Sequence, residues 1–321
     1  MKLYIASRAE DTGIYLCDLS EDGLLTELAL TPVDRPAWLC RDGSTLYALL
    51  REPFQLMSGM NVYHIGADGS LTLTAGPLST HGLYSAYLYA ERGSVWCANY
   101  IDGTILRFPD TLKAFQGSGC NRQRQLSSHP HCITPTPDGK YLCVNDLGTD
   151  RIYLLTHDLE KVSEAALPDG CGPRHLVFAP DGSTAYSSNE MGSTVSVLAY
   201  REGQLQYLRS YSTIPAGYCG ETSASAIRLS PAGDTLYVSN RGHNSVAVFR
   251  ASGEELSLQG FIPCGGDSPR EMALAGGFLL CGNELSDNVT VFSLKNGLPD
   301  RPVCDYHVKM PWCILPMEAN E

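Results

Sequence analysis

The sequence has no long apolar run. No stretch approaches the roughly 18 apolar residues of a membrane helix. The first nineteen residues are broken by Lys2, Arg8, Glu10 and Asp11, so no signal core is visible and a cytoplasmic location is expected. Basic residues are scarce: Lys and Arg total 23 against 35 Asp and Glu, a net charge of −12. That balance argues against nucleic-acid binding, which needs clustered cations on phosphate. There is no Gly-x-Ser-x-Gly nucleophile elbow, no phosphate loop ending in Gly-Lys-Ser/Thr and no dinucleotide glycine fingerprint. The twelve cysteines include no C-x-x-C pair. Most of them, such as Cys97, Cys143 and Cys281, sit inside apolar runs, so they are expected to pack as small hydrophobes in a reducing compartment. The Asp-Gly pairs read as turns before they read as calcium loops. Neither a metal nor a cofactor is expected.

A repeat is what the chain does have. Ser230–Phe249 reads SPAGDTLYVSNRGHNSVAVF: turn, strand, polar corner, strand. Related units begin at Arg41, Glu91, Thr136, Ala179 and Ala275. Their turn glycines, Gly43, Gly93, Gly139, Gly182, Gly233 and Gly276, recur at intervals of 43 to 51 residues. That is the period of a four-stranded propeller blade. Helical solenoids share the period, but the units are rich in Val, Tyr, Ile and Thr and turn every eight to twelve residues. LYIASRAEDTGIYL near the start matches a blade without its opening strand, and PWCILP from Pro311 resembles such a strand. The expectation is an all-β, seven-bladed propeller in one domain over residues 1–321, its last blade shared by the two ends of the chain. Closure would remove exposed sheet edges, and a closed propeller can act as a monomer. Gln116 to Ser128 reads as a loop over one face.

The repeat also predicts two rings of side chains at one mouth of the central channel, because the start of one strand and the end of the next share an edge. The first ring follows the opening proline or its equivalent: Ala37, Tyr84, His131, Arg174, Ser225, Arg270 and Trp312. The second follows the Asn that ends the next strand: Arg8, Arg51, Tyr100, Asp146, Glu190, Arg241 and Glu284. Together they hold five arginines, one histidine and three carboxylates. Arginine suits recognition of carboxylate or phosphate, and a carboxylate among arginines stays ionised. Ion pairs that merely seal a channel would give the same pattern.

The phrases QGSGCNRQRQLSSHPHC, DLGTDRIYLL, GPRHLVFAPDGSTAYSSNE, SPREMA, NELSDNVTVF and MPWCILP, together with SPAGDTLYVSNRGHNSVAVF, resemble the propeller lactonases. That family is typified by 6-phosphogluconolactonases and includes a carboxymuconate-lactonizing enzyme. The resemblance is good from about Gly93 to Pro316. In the earlier blades HGLYSAYLY and LLREP depart from the family's usual phrases. The resemblance implies hydrolysis of a small anionic sugar lactone, 6-phospho-D-glucono-1,5-lactone, in the pentose phosphate pathway. It places the active site at His131, Arg174, Glu190 and Arg241, all members of the two rings. Either Glu190 is the general base with His131 protonating the leaving oxygen, or His131 is the base and Glu190 orients it. Arg270 is a candidate phosphate contact. Arg124 could reach the mouth from its loop, although solvent is the commoner place for such a residue. His129 reads as structural, His175 as a core histidine and His243 as a turn residue. A lactonizing cycloisomerase and a non-enzymatic scaffold propeller remain alternatives.

Overall fold

Residues 1–317 are described by the computed structural model, and their strands form seven four-stranded antiparallel sheets. Six are consecutive in sequence. The seventh joins Lys2–Ser7, Gly13–Leu19 and Leu25–Pro32 to the strand Pro311–Pro316, with Leu3 opposite Pro316 and Ser7 opposite Pro311. The split blade expected from the two ends of the sequence is therefore present, and it closes the ring.

Strand composition follows depth in the blade. The second strands are buried on both faces and carry nearly continuous apolar runs, as in Thr235–Arg241 (TLYVSNR). The outermost strands, such as Leu25–Pro32, show mostly exposed positions. The core lies between neighbouring blades. Leu3, Ile5 and Ile314 of the split blade pack on Leu280, Val289 and Val291, and Tyr186, Val195 and Val197 pack on Ile227, Val238 and Phe249. Full burial of each such side chain contributes roughly 1.5–3 kcal/mol. The six turn glycines all take positive φ, between 55° and 77°, as the tight turns require. Eight cysteines are buried, Cys40 and Cys304 are partly buried, and Cys120 and Cys219 are exposed, outside the general expectation.

The repeated Asn at the end of the second strands is a buried tie. Asn99 donates to the Thr80 carbonyl at 2.9 Å, Asn189 to Thr194 Oγ1 at 2.9 Å and Asn283 to Thr290 Oγ1 at 3.1 Å. Asn240 donates to the Thr213 carbonyl and accepts from Thr213 Oγ1, both at 2.6 Å. Asn240→Ala strands two buried partners, so we expect a loss of about 1–3 kcal/mol. Urea unfolding of parent and variant measures it; an unchanged midpoint would remove Asn from the list of blade-tying residues.

One irregularity recurs in every innermost strand. Pairing slips after the first or second residue: between Pro36 and Trp38, Ser85 and Tyr87, Pro130 and Cys132, Pro173 and His175, Ala224 and Ile227, and Pro269 and Glu271. In the split blade the slip passes over Trp312. These are β-bulges, which leave one residue without a cross-strand partner and re-aim its side chain. The residues so released are Ala37, Ala86, His131, Arg174, Ser225 with Ala226, Arg270 and Trp312.

Candidate active site

The bulges and the second-strand ends meet around a cavity of about 310 Å³. Its lining includes Ala37, Tyr84, His131, Arg174, Arg270 and Trp312 from the first predicted ring, and Arg51, Tyr100, Glu190 and Arg241 from the second. Four ring members, Arg8, Ser225, Asp146 and Glu284, are not part of the lining. Ser225 is buried in the wall, where its hydroxyl donates to the Arg270 carbonyl at 2.7 Å. Asp146 turns away from the mouth and accepts from Ser128 Oγ and His129 N, each at 2.6 Å, and from Gly148 N at 2.9 Å. It clamps the end of the long loop just before His131. In the third blade the bulge falls at Ala86, two residues beyond the predicted Tyr84, and both residues line the cavity.

Glu190 is the centre of one half of the cavity. Its Oε1 lies 2.8 Å from Arg124 Nη2, and its Oε2 lies 3.2 Å from Arg174 Nε and 2.9 Å from Arg241 Nη2. Its backbone is pinned between blades: Glu190 N donates to the Gly172 carbonyl at 2.7 Å, and the Glu190 carbonyl accepts from Ala224 N at 3.2 Å. Burial alone would raise its pKa, but the guanidiniums of Arg241 and Arg174 outweigh that, and the carboxyl is held far below the ordinary range. Burial, then the charge on Arg241, pulls Arg174 down to about 9, with Glu190 opposing both. Arg241 is less committed. Its Nη2 is close to Glu190 but off the hydrogen-bond direction, and neither Nη2 nor Nε has a hydrogen-bond partner.

Arg124 reaches the mouth from its loop while its side chain stays nearly half exposed. The loop folds so that Gln125 Nε2 donates to the Leu147 carbonyl at 2.9 Å, while Asn121 Oδ1 accepts from Gln123 N and Arg124 N at 2.9 and 3.1 Å. The Ser127 carbonyl sits 1.9 Å from where a Cβ on Gly148 would be, so only glycine admits the loop at this depth. Arg124 Nη2 thereby reaches Glu190 and also donates to Tyr100 Oη at 3.2 Å. Periodicity carries no signal for this, because a loop's path is set by its own hydrogen bonds.

His131 is buried, and its Nδ1 has no hydrogen-bond partner. Its ring meets Tyr100 and His175 edge-on at 5.8 and 5.3 Å. Burial and then the charge on Arg174 push its pKa well below 6.5, so the ring is neutral at pH 7. His175 is a core histidine as expected, but it also forms the cavity floor with Trp38. Trp38 and Tyr87 rings lie 4.3 Å apart, and each meets His175 edge-on. The sequence reading missed Trp38, although it directly follows a ring position as His175 does. His129 is structural: Nδ1 donates to the Tyr100 carbonyl at 2.8 Å and the ring stacks on Tyr100. His243 holds its corner through Ser245 Oγ at 2.6 Å.

The far side of the cavity holds Arg51, Arg270 and Trp312. Arg270 pairs with Glu284 at 3.4 Å. Among the described residues no group of three or more His, Cys, Asp or Glu side chains is placed to hold a metal ion. The arrangement offers a neutral imidazole, guanidinium donors facing a cavity, and a carboxylate that fixes them. Such a set can stabilise an oxyanion and move one proton.

Known proteins share this architecture along the whole chain. The family model described as "Lactonase, 7-bladed beta-propeller" matches residues 2–316. An uncharacterized protein of Staphylococcus aureus strain USA300 is 33% identical over 328 residues, covering 94% of this chain and 95% of the relative. Among solved structures, a Lactobacillus plantarum protein is 30% identical with a TM-score of 0.89, covering 99% of this chain and 100% of that one. A candidate 6-phosphogluconolactonase from Bacteroides uniformis is 26% identical with a TM-score of 0.90, covering 98% of both chains.

Proposed function

Given that the chain belongs to the lactonase family of seven-bladed β-propellers, we propose that it hydrolyses a sugar lactone, with 6-phospho-D-glucono-1,5-lactone as the leading substrate. The observation that carries this reading is the buried Arg174 and half-buried Arg241 held by Glu190 beside the unpartnered nitrogen of neutral His131. A channel seal needs matched charges. Here three arginines share one carboxylate, and two nitrogens of Arg241 have no hydrogen-bond partner.

Of the two acid–base assignments, the structure favours His131 as base. Both Glu190 oxygens are engaged by arginines, whose charges keep the carboxyl ionised. In this mechanism His131 accepts the proton as the water oxygen bonds to the lactone carbonyl carbon. Arg241 and Arg174 stabilise the oxyanion that forms. The bond from that carbon to the ring oxygen then breaks, and the imidazolium returns the same proton to the leaving oxygen. The product is the open hydroxy acid. Glu190 holds the arginines in place and stabilises the transient imidazolium.

The test is consumption of freshly prepared 6-phospho-D-glucono-1,5-lactone and of unphosphorylated glucono-1,5-lactone against their spontaneous hydrolysis. Acceleration of either one supports the hydrolase. A folded protein that accelerates neither would overturn it, and a muconate-type cycloisomerase substrate would be the next assay.

A further inference from the structure

The half of the cavity that Glu190 does not reach is built around an indole. Arg270 and Arg51, which line it, and Arg8, which does not, place their guanidinium carbons 3.6, 5.2 and 4.6 Å from the centroid of Trp312. Arg51 also lies 4.3 Å over the Tyr84 ring. These are cation–π distances. The three arginines come from three different blades, so the cluster is a product of ring closure and not of one local motif.

Among the described residues only one of the three is paired with a carboxylate. Arg270 pairs with Glu284, whereas Arg51 donates from Nη1 to the Ser85 carbonyl at 2.9 Å. The buried Nε atoms of Arg51 and Arg8 have no hydrogen-bond partner, and neither has Trp312 Nε1. Three positive charges thus gather with one negative charge in a protein whose net charge is −12. Burial, followed by the charges on Arg270 and Arg8, brings Arg51 down to about 9. Aromatic faces offset part of that repulsion, and an entering anion would offset the rest. Forked guanidinium donors suit the oxygens of a phosphate.

We propose that Arg51, Arg8 and Arg270, arrayed about Trp312, form a second subsite that receives a dianionic phosphate group carried by the substrate away from its reacting carbonyl. The assignment of the reacting carbonyl rests on the lactonase reading, but the anion site does not. In this arrangement the Glu190 half does the chemistry and the Trp312 half selects phosphorylated over unphosphorylated lactones. The departure LLREP, the stretch that supplies Arg51, then acquires a role.

Two measurements test it. Calorimetric titration with inorganic phosphate reads the site alone, and the ratio of kcat/KM for 6-phospho-D-glucono-1,5-lactone over glucono-1,5-lactone reads its use. We expect phosphate binding to weaken about tenfold or more in Arg51→Met, and the ratio to fall by about 30-fold in Arg8→Met/Arg51→Met, as charge-assisted contacts are lost. Arg51→Lys, which keeps the charge but not the fork, should fall between and serves if Arg51→Met does not fold. Inorganic phosphate should compete with the phosphorylated lactone and not with the unphosphorylated one. Unchanged phosphate binding and an unchanged ratio, with lactones still hydrolysed, would overturn the subsite and leave the hydrolase standing. Phosphate binding lost in Arg51→Met, with neither lactone hydrolysed by the parent, would leave the anion site standing and overturn the hydrolase. Phosphate that binds without competing would also overturn the proposal.

Discussion

Glu190→Gln is expected to lower kcat by roughly 10²–10³-fold, the range seen when an oxyanion-stabilising group is lost. The substitution preserves volume but removes the one negative charge shared by Arg124, Arg174 and Arg241. Arg174 is 3% exposed at its side chain, so its charge would be left with little solvent to screen it. Breaking such a buried pair costs about 3–5 kcal/mol; Arg124, nearly half exposed, contributes less to that figure. The ring of interlocked blades should still fold, and thermal melting would show a lowered midpoint with one transition. The two readouts separate two roles. A lowered midpoint with full turnover would make Glu190 a seal of the channel mouth. Lost turnover with a cooperative, folded variant makes it part of the working site, and the pH profile of His131→Ala then separates orienter from base.

His131→Ala is expected to lower kcat by roughly 10²–10⁴-fold, the usual contribution of a positioned proton-transfer group, with a smaller change in KM. The parent should show an acidic limb in kcat/KM. Its position follows from the environment: burial and Arg174 hold the imidazole well below 6.5, so it is already unprotonated at neutral pH. Activity should be flat around pH 7 and should fall only when the medium is acidified below the ordinary imidazole value. The limb should be absent from the residual activity of His131→Ala. Stability runs in the same direction. Between the folded and unfolded pKa values the unfolded chain binds the extra proton, so stability is lost as pH falls below about 6.5. His175, also buried and lowered by burial and Arg174, adds to this acid sensitivity. A parent limb at or above pH 6.5, or one that survives in His131→Ala, would take the base role away from His131.

Much of the fold was legible because a propeller repeats its physics. Turn glycines with positive φ, buried second strands and an Asn tie recur in blade after blade, so period and composition located them. Ring positions can be counted the same way, and His131, Arg174, Glu190, Arg241 and Arg270 line the cavity where that count puts them. The misses share a cause. Asp146 occupies a ring position by count, but the backbone amides of His129 and Gly148 capture it. Arg124 reaches Glu190 only because Asn121, Gln125 and Gly148 shape its loop. The gathering of Arg8, Arg51 and Arg270 on Trp312 needs partners from separate blades and no local pattern announces it. Repetition reveals backbone positions; the direction of a side chain that leaves the repeat is set by neighbours far away in sequence.

The bulge at the head of every innermost strand has an evolutionary consequence. A residue in a regular ladder answers to its partner across the sheet, so a change there disturbs two strands. A bulged residue such as Ala37, His131 or Trp312 has no such partner to satisfy, and the sheet below it keeps its pairing whatever side chain stands in it. Single substitutions can therefore revise the chemistry of the mouth one blade at a time while the scaffold stays neutral to the change. A ring built this way can drift from one small-molecule substrate to another through folded intermediates at every step.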